Sequence, residues 1–600
     1  MGGAPIPSTW SPQRGEALLF DPASGHWLYF SRPLRLLEVH EVAAIRPTLR
    51  QLEEEVERSG LWAAGFLSYE AAAAFDTACS VLADHDFPLL WFGLYDEPQV
   101  VELPPPPADL PRPLWKAAGD EAAFAGAVAT IRDRIAAGET YQVNFTFSLH
   151  SDFHQDPWLF FLDLVQGQKA GGAAYLDTGR YAIASASPEL FFARRGQQLW
   201  SRPMKGTAPR GRTLEEDRAR GEGLRTSEKD RAENLMILDM IRNDLGRLGG
   251  PVRVPALFTL EKYPTVWQLT SVAETETDAS LDEVFAALFP CASITGAPKY
   301  RTMQIIADLE QRPRRLYTGA LGYVAPQRRA RFSVAIRTAL IDRQRQRGEY
   351  GVGAGITWGS EAGAEYRECL QKGRILRQSA PPPTLLESLR WTPAEGLFLR
   401  KEHLRRLADS AAYFDLPWSR EEAIRQLDRL TATLPPSPHK VRLLLDAEGH
   451  YQGEALPLPP SAPGPARLGL APFPVDSTDP RLYHKTTQRR LYDEARQACP
   501  DCDDVILWNE RGEVTETTIA NLVVEQEDGR LITPALDCGL LPGTFRASLL
   551  ARGTIEEGIV PLQKLSCCRS IFLINSVRGW RPALFSRASD PRSELSAKET

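Results

Sequence analysis

Between residues 227 and 248 the apolar side chains Leu235, Leu238, Ile241, Leu245 and Leu248 recur at three- and four-residue spacing, which predicts one amphipathic helix with a single buried stripe. Shorter apolar runs interrupt such helical stretches: RYAIASA (180–186), ELFFARR (189–195), GALGYV (319–324) and FSVAIRTALI (332–341) read as strands. The passage FPCASITGAPKYRTMQIIADLE (289–310) predicts strand, turn and helix in succession. Gly296 permits unusual backbone angles and Pro298 suits a first helical turn, so 293–299 reads as a tight loop feeding a helix over 300–310. A loop of this kind offers backbone N–H groups and the positive end of a helix dipole to an anionic ligand.

No repeat of fixed period is visible, and both halves read as α/β or α+β folds. Three proline-rich runs, at 103–113, 379–384 and 456–465, resist regular structure. The middle run precedes a new apolar pattern, LLESLRW, and marks the main boundary. The expected domains are 1–377, with a core over about 118–375, a spacer at 378–384, and 385–600. With 600 residues, 43% hydrophobic and 24% charged, the composition is that of a multidomain globular protein. A net charge of −7 argues against binding driven by nucleic-acid phosphates. The first residues lack a basic stretch followed by an apolar run, and Ile6 breaks a myristoylation signal. No membrane association and a cytoplasmic location are therefore expected. Eight scattered cysteines fit a reducing compartment. Cys499-Pro-Asp-Cys502 is the one suggestive spacing, but it lacks the second ligand pair of a zinc site, since Cys567 and Cys568 lie far along the chain.

Candidate chemistry begins with carboxylates. Asp230 and Glu233 are i, i+3 neighbours on the first helix, and Glu365 and Glu368 repeat the arrangement in EAGAEYRECLQKGR. Two such pairs suit Mg²⁺, which prefers a few carboxylate oxygens, waters and an anionic substrate group; spacing alone favours two solvated helix faces. Lys205, in SRPMKGTAPRG, sits in a loop bounded by Pro and Gly. A lysine held rigidly near apolar walls can serve as a nucleophile.

PMKGT, KDRAENLMILDMIRNDLGR, SITGAPK, AIRTA and GAGITWGSEAGAEY occur in the order seen in chorismate-utilising enzymes. With AGETYQVNFT and SASPELFF, residues 10 to 375 resemble the aminodeoxychorismate synthase component I branch, relatives of anthranilate synthase component I. The resemblance implies a two-sheet core with helices. It implies that Glu233, Glu365 and Glu368, joined by Asp230, hold Mg²⁺ against a substrate carboxylate. Lys205 would attack C2 of chorismate as the C4 hydroxyl leaves, and Glu189 would protonate that hydroxyl. Thr207, Thr295, Gly296, Tyr323, Arg337, Gly353 and Gly355 would bind substrate, with Arg337 paired to a carboxylate. Anthranilate synthases usually carry Ala where Lys205 stands, so this residue favours para amination. Gln268 departs from the histidine many relatives place there, and an amide is no base near neutral pH.

Residues 385–600 carry FLRKEHLRRLADSAAYF, YHKTTQRRLYDEAR, GEVTETTIANLVV, GLLPGTFR and INSVRG in order. They resemble the fold-type IV pyridoxal-phosphate enzymes, aminodeoxychorismate lyase in particular, with two subdomains. The resemblance implies that Lys485 holds pyridoxal 5′-phosphate as a Schiff base and that Glu516 pairs with its pyridine nitrogen. Arg406, Gly543, Thr544 and Ser576 would hold the phosphate, and Asn521 would support Glu516.

The combined expectation is a bifunctional enzyme: chorismate is aminated to aminodeoxychorismate, and pyruvate is then removed to give 4-aminobenzoate, the folate precursor. Two alternatives stay open: anthranilate-type synthesis joined to a class IV aminotransferase, and a non-catalytic binder of chorismate or tryptophan. No cysteine stands in a Gly-x-Cys-x-Gly elbow, so ammonia from glutamine would require a separate glutamine amidotransferase. A homodimer through the pyridoxal-phosphate domain is left open.

Overall fold

The computed structural model describes residues 4–6, 10–107, 110–166, 171–376, 383–460 and 463–585. Residues 1–3 and 7–9 of the stretch read for targeting signals, and most of the spacer 378–384, lie outside these. The chain divides into two compact units, Met1–Pro209 with Gly221–Pro381, and Arg210–Arg220 with Pro382–Thr600. The short stretch Arg210–Arg220 thus groups with the second unit. There Arg210 Nη2 donates to the Tyr413 carbonyl (2.8 Å) and Tyr413 Oη to that of Gly211 (2.7 Å).

Among the described residues the first unit has an 11-stranded and a 10-stranded sheet. Apolar side chains from both, including Leu19, Phe30, Phe66, Trp91, Ile183, Leu321 and Leu340, form one core, so the sheets pack face to face with helices on their outer sides. In the first sheet Gly172–Asp177, Tyr181–Ser187, Thr338–Asp342, Arg347–Ile356 and Gln142–Asp152 are successive neighbours, and Gly296–Ala297 closes this edge. The second sheet begins with Met204–Pro209 and continues through Val266–Glu276, Gln198–Arg202, Leu190–Arg195, Arg329–Val334 and Ala320–Ala325.

The predicted amphipathic helix is Glu228–Gly246, capped by Ser227. It buries Ile237, Leu238, Ile241 and Leu245, each side chain contributing about 1.5–3 kcal/mol. Leu235 does not join them and is 50% exposed. At 100° per residue it stands roughly 110° from the centre of that stripe, whereas Ile237 falls inside it. FSVAIRTALI is likewise not one strand. It breaks into Arg329–Val334 and Thr338–Asp342, which belong to different sheets, at Arg337, whose φ of 50° is left-handed.

The second unit contains a four-stranded sheet built on Leu385–Thr392 and His439–Leu445, covered by helices Arg400–Phe414 and Arg420–Thr431. It also contains an eight-stranded sheet spanning Ala466–Leu470 to Gly579–Phe585. No helix of the described residues is long and apolar enough to cross a membrane.

Candidate active sites

Strands Gln142–Asp152 and Arg347–Ile356 are antiparallel, with Gly355 opposite Asn144, Gly353 opposite Thr146 and Gly351 opposite Ser148. Opposed residues in such a ladder share a face, and every second residue returns to it. Gly351, Gly353 and Gly355 therefore form a smooth floor, while Tyr350, Val352, Ala354 and Ile356 face the helix-side core. A Cβ on Gly355 would lie 2.5 Å from Lys205 Nζ and 2.9 Å from Gln142 Nε2, and one on Gly351 would strike the Tyr317 ring at 2.2 Å. Only glycine leaves room for the groups gathered there.

Lys205 reaches this floor from an edge strand rather than a loop. Met204–Pro209 pairs with Val266–Glu276, and the register shifts between Met204 and Thr207; this is a bulge, with Gly206 at φ 97°. Asn234 fastens the bulge, its Nδ2 donating to the Lys205 carbonyl (3.0 Å) and the Leu269 carbonyl (3.1 Å) while its Oδ1 accepts from Ser271 Oγ (2.6 Å). The walls about Lys205 are polar, not apolar: Nζ lies 3.8 Å from Glu233 Oε2. Thr207 is exposed opposite Gln268.

Glu189 is buried and accepts from Ser293 Oγ at 2.7 Å. Burial pushes its carboxyl up to about 7, against the opposing pull of Ser293, the Met204 N–H and Lys205. One carboxyl that is partly protonated at neutral pH thus stands next to the candidate nucleophile. Gln142 is fully buried, yet among the described residues neither its Oε1 nor its Nε2 has a hydrogen-bond partner. An unpaired buried amide is costly, so a polar ligand beside Lys205 would relieve it. Sequence reasoning passed over this residue because a glutamine within a strand carries no periodic or titratable signal.

The SITG turn forms the rim. Gly296, at φ 143°, pairs with Val143, and a Cβ there would meet the Gln142 carbonyl at 2.0 Å. Thr295 is buried and its hydroxyl is used internally, donating to the Cys291 carbonyl (3.1 Å). The helix beyond is Lys299–Glu310, and Lys299 Nζ pairs with Asp244 at 2.7 Å.

Arg337 flanks the floor. It precedes by two residues Ala339, the partner of Tyr350, and among the described residues its guanidinium makes no hydrogen bond; burial pushes it below its ordinary value. Tyr323 does not come to the floor. Its strand is five places from that of Lys205 in the second sheet, roughly 24 Å at about 4.8 Å per strand, and its ring packs on Trp62 at 5.7 Å. Tyr317, six residues earlier, stands against Gly351 instead.

The four acidic candidates lie around Lys205 without closing into one cluster. Asp230 accepts from Ser227 Oγ (2.5 Å) as part of the helix cap and packs against Gly206. Glu365 accepts from Ser360 Oγ (2.8 Å), and Glu368 pairs with Lys372 (2.9 Å). Burial raises Glu365; for Glu368 burial is outweighed by Lys372, Lys205 and Lys229, which lower it. The ligand atoms of Glu233, Glu365 and Glu368 are not all within 4.8 Å of one another; among the described residues only the hairpin trio Asp446, Glu448 and His450 meets that limit. The hard oxygen donors suit Mg²⁺ in kind.

A second constellation is built entirely within the second unit. Burial and then Arg406 push the Lys485 ammonium down to about 8, against Glu387 and Glu516. Glu387, on Leu385–Thr392, accepts from Arg406 Nε (2.9 Å) and Nη2 (2.7 Å) and from His403 Nδ1 (2.6 Å). Burial alone would raise this carboxyl, but Arg406 and His403 hold it at about 2. Stability from this pairing is therefore fully present above the ordinary carboxylate value and lost as pH falls towards 2. Burial keeps His403 neutral, so its Nε2 accepts from Thr544 Oγ1 (3.1 Å).

Arg406 Nη1 donates to the Pro542 carbonyl (3.1 Å) and Ser576 Oγ to that of Ser388 (3.2 Å). Of the predicted phosphate-binding side chains, Arg406 is the one that acts on Lys485, and the Thr544 and Ser576 hydroxyls are spent on His403 and the Ser388 carbonyl. Gly543 is required beside them, since a Cβ would lie 2.0 Å from Asn521 Oδ1. Asn521 Nδ2 in turn donates to Glu516 Oε2 (3.2 Å). Glu516 is buried and pushed up to about 7. Sequence reasoning missed Glu387, although it stands in LLESLRW. Cys499 and Cys502 both approach Gly469 and are free thiols.

A model of the chorismate binding enzyme family matches residues 16–378, and one of the amino-transferase class IV family matches 384–584. The aminodeoxychorismate synthase of Streptomyces griseus is 43% identical over 250 residues, covering 41% of this chain and 34% of that protein. Aminodeoxychorismate synthase component 1 of Klebsiella aerogenes is 35% identical over 320 residues, covering 51% of this chain and 70% of that protein. The chain therefore spans about a third of the length of the first relative and more of the second. The solved anthranilate synthase component I of Streptococcus pneumoniae matches with a TM-score of 0.50 and 24% identity, over 62% of this chain and 93% of that one; this is a likeness of fold.

Proposed function

Because the chain belongs to the chorismate binding enzyme family through residues 16–378, we propose that its first unit aminates chorismate at C4 and its second removes pyruvate from the product, yielding 4-aminobenzoate. The observation that carries the first reading is the meeting of Lys205 and the Gln142 amide over Gly355, with the buried carboxyl of Glu189 near enough to Lys205 to be acted on by its charge. Lys205 Nζ, as the neutral amine, attacks C2, both double bonds of the ring diene shift, and the C4 hydroxyl leaves as water with a proton from Glu189. Ammonia held by the Gln142 amide then adds at C4, both double bonds return, Lys205 departs as the neutral amine, and the Glu189 carboxylate takes the surplus proton of the added nitrogen. Arg337 supplies a cation for a substrate carboxylate. Glu233, Glu365 and Glu368, with Asp230 behind them, would hold Mg²⁺, which when bound neutralises a carboxylate and orients the ring.

In the second unit Lys485 would bind pyridoxal phosphate, with Glu516 at the pyridine nitrogen and Arg406, Gly543, Thr544 and Ser576 at the phosphate. The cofactor supplies an electron sink when bound. Lys485 then moves the C4 proton as pyruvate leaves and the ring aromatises. A separate glutamine amidotransferase supplies ammonia in this reading. The purified chain, given chorismate, ammonium, Mg²⁺ and pyridoxal phosphate, should form 4-aminobenzoate. Chromatography finding anthranilate instead would favour the ortho alternative, and no turnover would favour a binding protein.

Glu189 gives the amination a distinctive pH dependence. With its carboxyl at about 7, the proton donor is present below that value and is lost above it. At constant free ammonia, the advantage of the wild type over Glu189→Gln in kcat/KM for amination should be roughly 10²–10⁴-fold at pH 6.5 and shrink about tenfold per pH unit above 7, the requirement for a neutral Lys205 amine being common to both profiles. A ratio of the two profiles that stays constant from pH 6 to 9 would remove Glu189 from the acid role.

A further inference from the structure

Three elements hold the Glu516 carboxylate. Tyr492 Oη donates to Oε1 at 3.0 Å, the Leu541 N–H to the same oxygen at 3.3 Å, and Asn521 Nδ2 to Oε2 at 3.2 Å. Asn521 is the direct ladder partner of Glu516, so its role follows from the hairpin. Tyr492 comes from elsewhere, the helix Arg490–Gln497, seven residues beyond Lys485. One short segment therefore carries both the candidate Schiff-base lysine and a donor to the carboxylate. Over the Tyr492 ring lies the Arg489 guanidinium, at 4.7 Å, and its Nη2 donates to the Thr518 carbonyl in the turn after Glu516. The phenol is thus fixed against this hairpin from its face as well as its hydroxyl.

We propose that Tyr492 is a positioning residue that keeps the Glu516 carboxylate ionised and aimed at the pyridine nitrogen of the cofactor, an inference that rests on reading residues 384–584 as a pyridoxal-phosphate unit. A buried carboxylate is stabilised by each donor that meets its charged form, and charge-assisted bonds are the stronger ones. Lys485 and Arg489 also favour the charged form of Glu516, while Asp479 and Glu516 face Tyr492 and, with burial, keep its phenol protonated. The phenol therefore stays a donor wherever the protein is folded near neutral pH. Without it, burial prevails, Glu516 takes up a proton at higher pH, and the partner of a cationic pyridine nitrogen is lost.

The test is cofactor binding by the full chain, followed through the visible absorbance of bound pyridoxal phosphate between pH 5 and 9. Tyr492→Phe keeps the ring under Arg489 and removes only the donor. It should weaken binding about tenfold at neutral pH and raise by about one unit the pH at which half the cofactor is lost on acidification. In a Glu516→Gln background the same substitution should change affinity less than twofold, because no ionised carboxylate remains to be supported. An unmoved pH profile, or an equal loss in both backgrounds, overturns the proposal. Should Tyr492→Phe not fold, Tyr492→Gln, which retains a donor, should hold the cofactor more tightly than Tyr492→Leu; equal weakening overturns the proposal as well. Borohydride reduction and peptide mapping of the wild type separate the premise from the inference. A label on Lys485 with an unaltered Tyr492→Phe profile sinks Tyr492 alone, whereas no label there sinks both.

Discussion

Lys205→Ala should reduce formation of aminodeoxychorismate from chorismate and ammonium by at least about 100-fold, a barrier increase of roughly 2.7 kcal/mol. The bulge at Met204–Thr207 and the Asn234 contacts to the backbone do not depend on the side chain, so thermal melting should hardly change. The ammonium sits 3.8 Å from Glu233, and this contact discriminates between two roles. If Lys205 merely balanced the surrounding carboxylates, removing it would change Mg²⁺ binding and activity together. If it is the nucleophile, calorimetry should find Mg²⁺ bound as well or better, since a competing cation has gone, while turnover collapses. Lys205→Arg should not rescue turnover, because a guanidinium is not a nucleophile at neutral pH. Retention of more than a tenth of wild-type amination by Lys205→Ala would remove the covalent step from the mechanism.

The elements and motif order were readable from the sequence; the facing of individual side chains was less so. The helix over Glu228–Gly246 announced itself, yet Leu235 is exposed because five apolar residues at mixed spacing drift around the helix. Lys205, Glu189, Gly355 and Glu233 were legible through ordered motifs, and the structure brings them together. Tyr323 and Tyr317 are six residues apart in YTGALGY, and only sheet order tells which stands at the floor. The break at Arg337 was hidden because AIRTALI has uninterrupted strand propensity, while a single left-handed residue sends the chain from one sheet to the other. Gln142 and Tyr492 carry their importance in what they face, an unpaired buried amide and a carboxylate, and neither relation is local in sequence. Glu387 was passed over for the same reason, since its partners His403 and Arg406 lie 16 and 19 residues away.

Lys485→Ala should abolish the visible absorbance of bound pyridoxal phosphate and release of 4-aminobenzoate, at least about 1000-fold below wild type, while leaving amination of chorismate intact. The reason is compositional: the residues gathered around Lys205 all belong to one compact unit and those around Lys485 all to the other, so each half-reaction keeps its full residue set when the other lysine is removed. The variant should therefore accumulate aminodeoxychorismate. The Pro-rich composition of the spacer suits a connector rather than an active-site wall, so the intermediate is expected to pass through solvent. Mixing Lys205→Ala and Lys485→Ala chains with chorismate, Mg²⁺, pyridoxal phosphate and ammonium should then restore 4-aminobenzoate after a lag that shortens as the Lys205→Ala chain is increased. A mixture that stays inactive although each variant retains its own half-reaction would mean obligatory transfer within one chain, or a second reaction other than pyruvate elimination. Separately prepared aminodeoxychorismate decides between these. If the Lys205→Ala chain converts it to 4-aminobenzoate, transfer is the obstacle; if it leaves it unchanged or only transaminates other amino acids, the lyase reading falls.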